Sequence, residues 1–190
     1  MRRRSEVARR ACALAFVFVF AALALATSCG GGRALSVRSG KPERIISLTP
    51  STTEILYGVG AFGRVVAVSD YCTYPAEVKN LPRVGGWNNP NMEQIASLRP
   101  DLVIFSDAQA QFVKDKVEAA GIRTLAVPSQ TIEDAYKSIE LVGQATGEEE
   151  AARRLLEQTR ASVQTVRLST EKLPRLRVLC VVDRVPGTLR

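Results

Sequence analysis

Short apolar runs alternate along the chain with amphipathic stretches whose apolar positions recur at helical spacing. The runs fit buried strands, and the stretches between them end at glycine or proline, as helices do. The predicted strands are RIISL (44–48), RVVAVSD (64–70), DLVIFS (101–106) and IRTLAVP (122–128), and the predicted helices lie in TPSTTEILYG (49–58), NMEQIASL (91–98), AQFVKDKVEAAG (110–121) and TIEDAYKSIELVGQATG (131–147). Strands that alternate with helices predict an α/β fold, in which helices flank a parallel sheet.

Capping residues place the ends of two of these helices. Ser51 and Glu54 are spaced as a capping box at the start of the first helix, and Gly58 is placed to stop it. Thr131 is the predicted N-cap of the last helix of the group, and Gly147 is its predicted stop.

A longer helix follows, because residues 148–173 contain neither proline nor glycine. Its apolar stripe consists of Leu155, Leu156, Val163, Val166 and Leu173, and Pro174 ends it. The next apolar run, residues 176–183, is predicted to be the first strand of a second lobe that stops at Arg190. We therefore expect an amino-terminal α/β lobe (43–147), a long rigid interlobe helix (148–173) and the start of a truncated carboxyl-terminal lobe (174–190).

The stretch GVGAFG, from Gly58 to Gly63, has the G-x-G-x-x-G spacing of a dinucleotide-binding loop. In such loops a strand precedes the glycines and a helix follows them, so that the phosphates meet the start of the helix. Here the predicted helix precedes the glycines and a strand follows them. The order predicts a helix end and a turn, and a nucleotide-dependent α/β enzyme is the alternative from another functional class.

The amino terminus has the three regions of a secretory signal. Arginines come first, an apolar run over residues 11–26 follows, and small residues precede Cys29. A transmembrane anchor is the alternative, but it needs about 20 apolar residues. Small residues before a cysteine resemble a bacterial lipoprotein processing site. We therefore expect residues 1–28 to be removed, Cys29 to carry a lipid anchor to the membrane, and residues 29–42 to form a flexible tether.

Charge and composition narrow the classes of partner. The chain has 26 basic residues, 19 acidic residues and no histidine, which gives a formal charge of +7. Residues 1–28 hold five of the basic and one of the acidic side chains, so the remaining chain carries only +3. The chain contains no basic stripe with interleaved aromatic residues, which is the pattern that would indicate nucleic-acid binding. Without histidine the commonest metal ligand and general base are missing, so we expect no metal site. The chain also lacks a recognisable set of acid, base and nucleophile, so we expect no catalytic residue and no cofactor.

Two of the four cysteines, Cys72 and Cys180, lie beyond the lipidation site. In an oxidising compartment they can form a disulfide. The sequence leaves both the disulfide and two free thiols open.

Aromatic residues gather in one sector, residues 69–95, which begins as the second predicted strand ends. It holds Tyr71, Tyr74 and Trp87, the single tryptophan of the chain. Ligands of open parallel sheets bind beyond the carboxyl ends of the strands. Aromatic side chains at that position suit a large planar ligand. The alternative is that Tyr74 and Trp87 only pack the loop against the sheet.

Four stretches occur in an order that resembles a known family: RIISLTPSTTEILYGVG, VVAVSDYCTYPAEV, VGGWNNPNMEQIASLRPDLVI and TIEDAYKSIELVGQATG. Residues 41–185 resemble the amino-terminal lobe of periplasmic substrate-binding proteins of the cobalamin and iron-chelate type. The resemblance implies two α/β lobes joined by one long helix, with the ligand in the cleft between them. It also implies delivery of the ligand to an ABC importer, and no bond chemistry.

The same resemblance implies roles for single residues. Tyr71 and Trp87 match positions where cobalamin binders place aromatic rings against the corrinoid, and Tyr74 is predicted to join them. Glu93 matches a surface carboxylate that docks with an arginine of the membrane permease, and a solvated glutamate at a helix start is the alternative. Ser106 stands where some cobalamin binders carry another aromatic residue, so one side of the pocket is expected to be barer.

The resemblance therefore implies an extracytoplasmic lipoprotein that captures a cobalamin-like corrinoid and delivers it to an ABC importer. A ferric siderophore or haem is the alternative ligand. Because the chain lacks histidine, haem would need a tyrosine such as Tyr71, or Cys72, as its axial ligand. A cleft receptor needs both lobes, so a chain that truly ends at Arg190 is expected to bind weakly or to be a nonfunctional remnant.

Overall fold

The computed structural model describes residues 40–180, and the predicted leader, Cys29, most of the tether and residues 181–190 lie outside them. Within the described residues, strands and helices alternate as β1 (Ile45–Ser47), α1 (Pro50–Gly58), β2 (Val65–Val68), α2 (Met92–Ser97), β3 (Leu102–Ser106), α3 (Ala110–Ala119), β4 (Arg123–Val127), α4 (Ile132–Thr146) and α5 (Glu149–Thr170). Short 3₁₀ helices occupy Phe62–Arg64, Ala76–Asn80 and Asp107–Gln109.

The strands form one parallel sheet in the order β2-β1-β3-β4. In the register, Leu102 of β3 lies between Ile45 of β1 and Arg123 of β4. Between β1 and β2 the register shifts directly after Ile45, so that Val66 is an extra residue on β2. A parallel sheet needs helices on both faces because its strands are apolar on both sides. Helices cover both faces here, which confirms the predicted α/β fold class.

Each face of the sheet has its own core, because alternate strand residues point to opposite sides. On one face, Ile45 and Ile104 pack with side chains of α1, α4 and α5. On the other face, Ile46 and Phe105 pack with side chains of α2 and α3. The helices contribute Leu56, Ile139, Val142, Ala152 and Leu156 to the first core, and Ile95, Val113 and Val117 to the second. The ends of the strands are therefore the places where loops can form a site.

The start of α1 differs from the capping box predicted from Ser51 and Glu54. The residue before the helix is Thr49, Pro50 lies in its first turn, and no side chain caps it. Proline fits this position because its fixed φ is helical and its missing N–H would have no partner within the helix. The capping-box prediction is wrong because Ser51 already lies inside the helix.

Helix α1 also continues through Gly58, which the sequence predicts as its stop. The turn is made instead by Gly60, whose φ of 79° lies in the left-handed region that favours glycine. The G-x-G-x-x-G stretch thus connects a helix to a strand, in the order predicted. The glycines follow α1 and lead only into the short 3₁₀ helix Phe62–Arg64 and β2, whereas phosphate binding requires a strand before the glycines and an α-helix after them.

The ends of α4 agree with the prediction. The Thr131 hydroxyl accepts a hydrogen bond from the N–H of Asp134, and the Asp134 carboxylate accepts one from the N–H of Thr131. Gly147 ends the helix in the left-handed conformation, with a φ of 68°. Helix α5 begins two residues later and packs against α4, where Gly143 lies against Ala152.

Arg64 joins the α4–α5 corner to the start of β2. Its guanidinium donates to the carbonyl oxygens of Pro42 and Thr146, both at 3.0 Å. Its other terminal nitrogen lies 2.8 Å from the carboxylate of Glu148, the residue before α5. These contacts fix the beginning of the long helix to the lobe.

Helix α5 has 22 residues and therefore a length of about 33 Å. Leu156 is buried against the lobe, whereas Val166 is exposed. Residues 174–180 follow the helix and form no strand with the described part of the chain. The proposed division of the chain into lobes stays a prediction. No helix among residues 40–180 is both long and apolar enough to cross a membrane.

We expect Gly143→Ala to lower the free energy of unfolding by about 1–3 kcal/mol, the usual effect of overpacking. The added methyl group would collide with the side chain of Ala152, whereas the same change in an open helix stabilises it. Gly63→Ala is the matched control, because nothing lies within 4 Å of its added Cβ. Urea denaturation followed by circular dichroism measures both. Equal stability of the two variants would contradict the close packing of α4 on α5.

Candidate functional site

The segment after β2, residues 69–91, crosses the carboxyl edge of the sheet and is called the β2 loop below. The N–H of Ser69 donates to the Ser47 carbonyl of β1 at 3.0 Å. The loop then returns beside its own strand, where the N–H of Val84 donates to the Val68 carbonyl at 3.0 Å. The aromatic sector therefore lies at the edge where ligands bind in open parallel sheets.

Arg83 holds the first half of the β2 loop together. One terminal nitrogen donates to the carbonyls of Ser69 at 2.9 Å and Cys72 at 2.6 Å, and the other donates to the Val78 carbonyl at 3.3 Å. A guanidinium carries five N–H donors in one plane, so one side chain can satisfy several carbonyls that face inward. The backbone that carries Tyr71 is fixed in this way.

Tyr71 and Trp87 lie close together on this edge. A Cβ built on Gly86, the neighbour of Trp87, would lie 3.6 Å from the Tyr71 hydroxyl oxygen. Tyr71 is 59% exposed and Trp87 is 37% exposed. Both aromatic side chains thus offer apolar surface to solvent at this edge, which suits contact with a planar ligand.

Tyr74 lies in a different aromatic cluster. Its ring packs edge-to-face on Tyr57 of α1, with 5.5 Å between the ring centroids. Tyr57 packs in the same manner on Phe62 at 5.9 Å. Because Tyr57 is in the last turn of α1, this cluster lies toward the amino edge of the sheet. Tyr74 thus packs on another aromatic side chain of the lobe, as the alternative interpretation of this residue expects. Its predicted contact with a ligand stays a prediction.

Glu93 is exposed in the first turn of α2. The helix starts where it does because the Asn91 side chain accepts a hydrogen bond from the N–H of Gln94 at 3.0 Å. A carboxylate in the first turn also complements the positive end of the helix dipole. The side chain is free to meet a partner surface, and its docking role stays a prediction.

The carboxyl end of β3 contains two buried polar side chains. Ser106 is 2% exposed, and its hydroxyl has no hydrogen-bond partner in the part of the chain that the structure describes. No aromatic ring stands at this position, and the expected barer side of the pocket stays a prediction. Gln109, three residues later, donates from its amide nitrogen to the Trp87 carbonyl at 2.7 Å. Sequence reasoning missed Gln109, because a glutamine after a strand carries no pattern of its own.

The two cysteines within the described residues are free thiols in this structure, one buried (Cys72) and one exposed (Cys180). The sulfur of Cys72 lies 3.2 Å from the Thr53 hydroxyl and 3.3 Å from the Ser69 hydroxyl. Its complete burial keeps this thiol away from any ligand at the edge, which leaves Tyr71 as the exposed candidate for an axial haem ligand. Among residues 40–180 no three potential metal-ligating side chains cluster.

The lobe and the long helix are similar to known proteins. Residues 45–183 match the family described as Periplasmic binding protein. YvrC of Bacillus subtilis, an uncharacterized ABC transporter substrate-binding lipoprotein, is 38% identical over 130 residues, which are 66% of this chain and 41% of that protein. The vitamin B12-binding protein of Yersinia pestis is 36% identical over 126 residues, which are 66% of this chain and 45% of that protein.

A solved structure extends the likeness to three dimensions. The periplasmic heme-binding protein RhuT from Roseiflexus sp. RS-1, in its apo form, superposes with a TM-score of 0.65 at 31% identity, covering 72% of this chain and 52% of that one. This chain spans about half the length of the relatives that it matches.

Proposed function

Because the chain belongs to the periplasmic binding protein family, we propose that it supplies the amino-terminal lobe of an extracytoplasmic receptor that captures a cobalamin-like corrinoid for an ABC importer. The observation that carries the proposal is the pair of exposed aromatic side chains, Tyr71 and Trp87, at the carboxyl edge of the sheet. The likeness to a vitamin B12-binding protein supports the choice of ligand.

Capture would rest on contact without bond chemistry. The macrocycle of a corrinoid is broad and largely apolar, so that aromatic rings gain affinity by covering it. Arg83 has already fixed the backbone that carries Tyr71, so little ordering remains to be done when the ligand arrives. We propose that a second lobe, of which residues 174–190 are only the start, provides the opposite wall of the cleft.

Haem or another iron chelate is the second candidate ligand. Two observations favour it: the similarity to a haem-binding structure, and the exposed side chain of Tyr71, which carries a hydroxyl group. Tyrosine is an established axial ligand of haem iron, whereas a corrinoid needs only the ring of Tyr71. Removal of the hydroxyl therefore separates the two ligands.

We expect Tyr71→Ala and Trp87→Ala each to weaken the binding of cyanocobalamin by about 5- to 10-fold, the value of one aromatic contact. Tyr71→Phe should bind it almost normally, because the ring remains. Tyr74→Ala should have a smaller effect, since Tyr74 packs on Tyr57. Isothermal titration calorimetry on the purified chain measures all four and avoids the strong absorption of the ligand.

Titration with haem is the parallel experiment. If Tyr71→Phe abolishes a haem Soret shift that the unaltered chain shows, and cyanocobalamin gives no heat, the ligand is haem. A larger loss of cyanocobalamin affinity in Tyr74→Ala than in Tyr71→Ala would contradict the assignment of the site to the carboxyl edge. A chain that binds neither compound would refute both ligands for a single lobe.

We propose that Glu93 docks the receptor on an arginine of the permease. Glu93→Lys should then reduce the stimulation of the importer's ATP hydrolysis in proteoliposomes by about 10-fold or more, as expected when one member of an interfacial ion pair is reversed. The affinity for the ligand should stay unchanged. Glu133→Lys is the matched control, because Glu133 is also exposed in a first helical turn. Equal effects of the two changes would contradict the docking role of Glu93, because the loss of a negative charge would then matter wherever it occurs.

We also propose that Cys29 carries the lipid that holds the receptor at the membrane. In cells, Cys29→Ser should release the protein from the detergent phase of a phase-partition assay into the aqueous phase. Cys12→Ser, within the predicted leader, is the control and should leave partitioning unchanged. A mature chain that partitions into water and begins at another residue would exclude the lipoprotein proposal.

A further inference from the structure

Trp87 is tied to the lobe by a single long-range hydrogen bond. The amide nitrogen Nε2 of Gln109 donates to the Trp87 carbonyl at 2.7 Å, across 22 positions of sequence. Among the described residues, no other hydrogen bond joins Trp87 to an element outside its own turn. Backbone hydrogen bonds hold the ends of the turn, since the N–H of Asp70 donates to the Gly85 carbonyl at 3.0 Å and that of Asn91 to the Val84 carbonyl at 2.8 Å. The bond from Gln109 is the one that fixes the middle of the turn, at Trp87.

The segment that carries Gln109 is itself fixed by hydrogen bonds. It ends the 3₁₀ helix Asp107–Gln109, which follows β3 directly. The carboxylate of Asp107 accepts hydrogen bonds from the N–H of Ala108 at 2.8 Å and from the hydroxyl of Ser129 at 3.0 Å. The short helix is thus linked to the loop after β4, and the base of the Gln109 side chain is fixed.

The burial of this amide is unfavourable for stability. Gln109 is 0% exposed, and its oxygen Oε1 has no hydrogen-bond partner in the part of the chain that the structure describes. A buried polar atom without a partner is costly, whereas methionine or leucine would fill a similar volume without that cost. The hydrogen bond to the Trp87 carbonyl is therefore the evident contribution of this amide.

We propose that Gln109 is a positioning residue for Trp87, whose amide sets where the indole lies on the carboxyl edge. The direction of the bond is unambiguous, because the Trp87 carbonyl can only accept and Gln109 has to present its NH₂ group. That Trp87 then contacts a ligand rests on the proposed function. The position of Trp87 itself can be tested without any ligand.

The test compares Gln109→Met with Gln111→Met, which removes a more exposed amide two positions later. Trp87 is the single tryptophan of the chain, so its fluorescence reports this turn alone. In Gln109→Met we expect acrylamide quenching, corrected for lifetime, to rise on the order of 2-fold and the anisotropy to fall, because Trp87 has lost its hydrogen bond to the 3₁₀ helix after β3. The urea midpoint should stay equal or rise. Gln111→Met should change none of these values.

The ligand provides a second readout. Gln109→Met should weaken cyanocobalamin binding by about 5-fold, the value of one hydrogen bond, and Gln111→Met should not. If Gln109→Met does not fold, Gln109→Leu replaces it. A folded variant with unchanged quenching and anisotropy, or one that loses stability without a change at Trp87, would overturn the positioning role. If the unaltered chain binds neither cyanocobalamin nor haem, the proposed ligand fails, while the fluorescence comparison still decides the role of Gln109.

Discussion

The burial of both faces of one parallel sheet is the constraint from which the rest of the lobe follows. Adjacent strand residues such as Ile45 and Ile46 pack into different cores, so each strand is apolar on both sides and needs helices above and below. Each helix returns the chain to the amino edge, and each strand then delivers its next loop to the carboxyl edge. The β2 loop, the 3₁₀ helix after β3 and Ser129 after β4 meet at that edge for this reason.

The long helix is stabilised unevenly along its length. Its first half is fixed by the contact between Gly143 and Ala152 and by Arg64, which bonds to Glu148 and to two carbonyls at the amino edge. Its second half has exposed apolar residues such as Val166. Contacts with the lobe therefore hold the first half of this helix more firmly than the second.

The elements were predictable from sequence because each depends on neighbouring residues. Helix α4 shows this well, since Thr131 and Asp134 form its capping box within one turn. The start of α1 was not predictable in the same way, because two start signals overlap and Pro50 in the first turn prevails over the capping box of Ser51. Local patterns locate an element, but competing signals within one turn decide where it begins.

The composition of the candidate site was predictable only in part, for a different physical reason. Tyr71 and Trp87 follow from the rule that loops at the carboxyl edge carry ligands. The packing of Tyr74 on Tyr57, 17 positions earlier, and the bond of Gln109 to Trp87 depend on contacts between distant segments. No periodicity records such contacts, since they arise only after the sheet has brought its loops together.

The hydrogen bonds of the carboxyl edge bear on how a single lobe can bind. Arg83 fixes the segment of Tyr71, Gln109 fixes Trp87, and Asp107 joins the loop of β3 to that of β4. A wall built in this way is ordered before any ligand arrives, so binding needs little further loss of conformational entropy. The affinity of one lobe is then limited by the contact area that it offers. In the proposed receptor, a second wall would add contact area to this one.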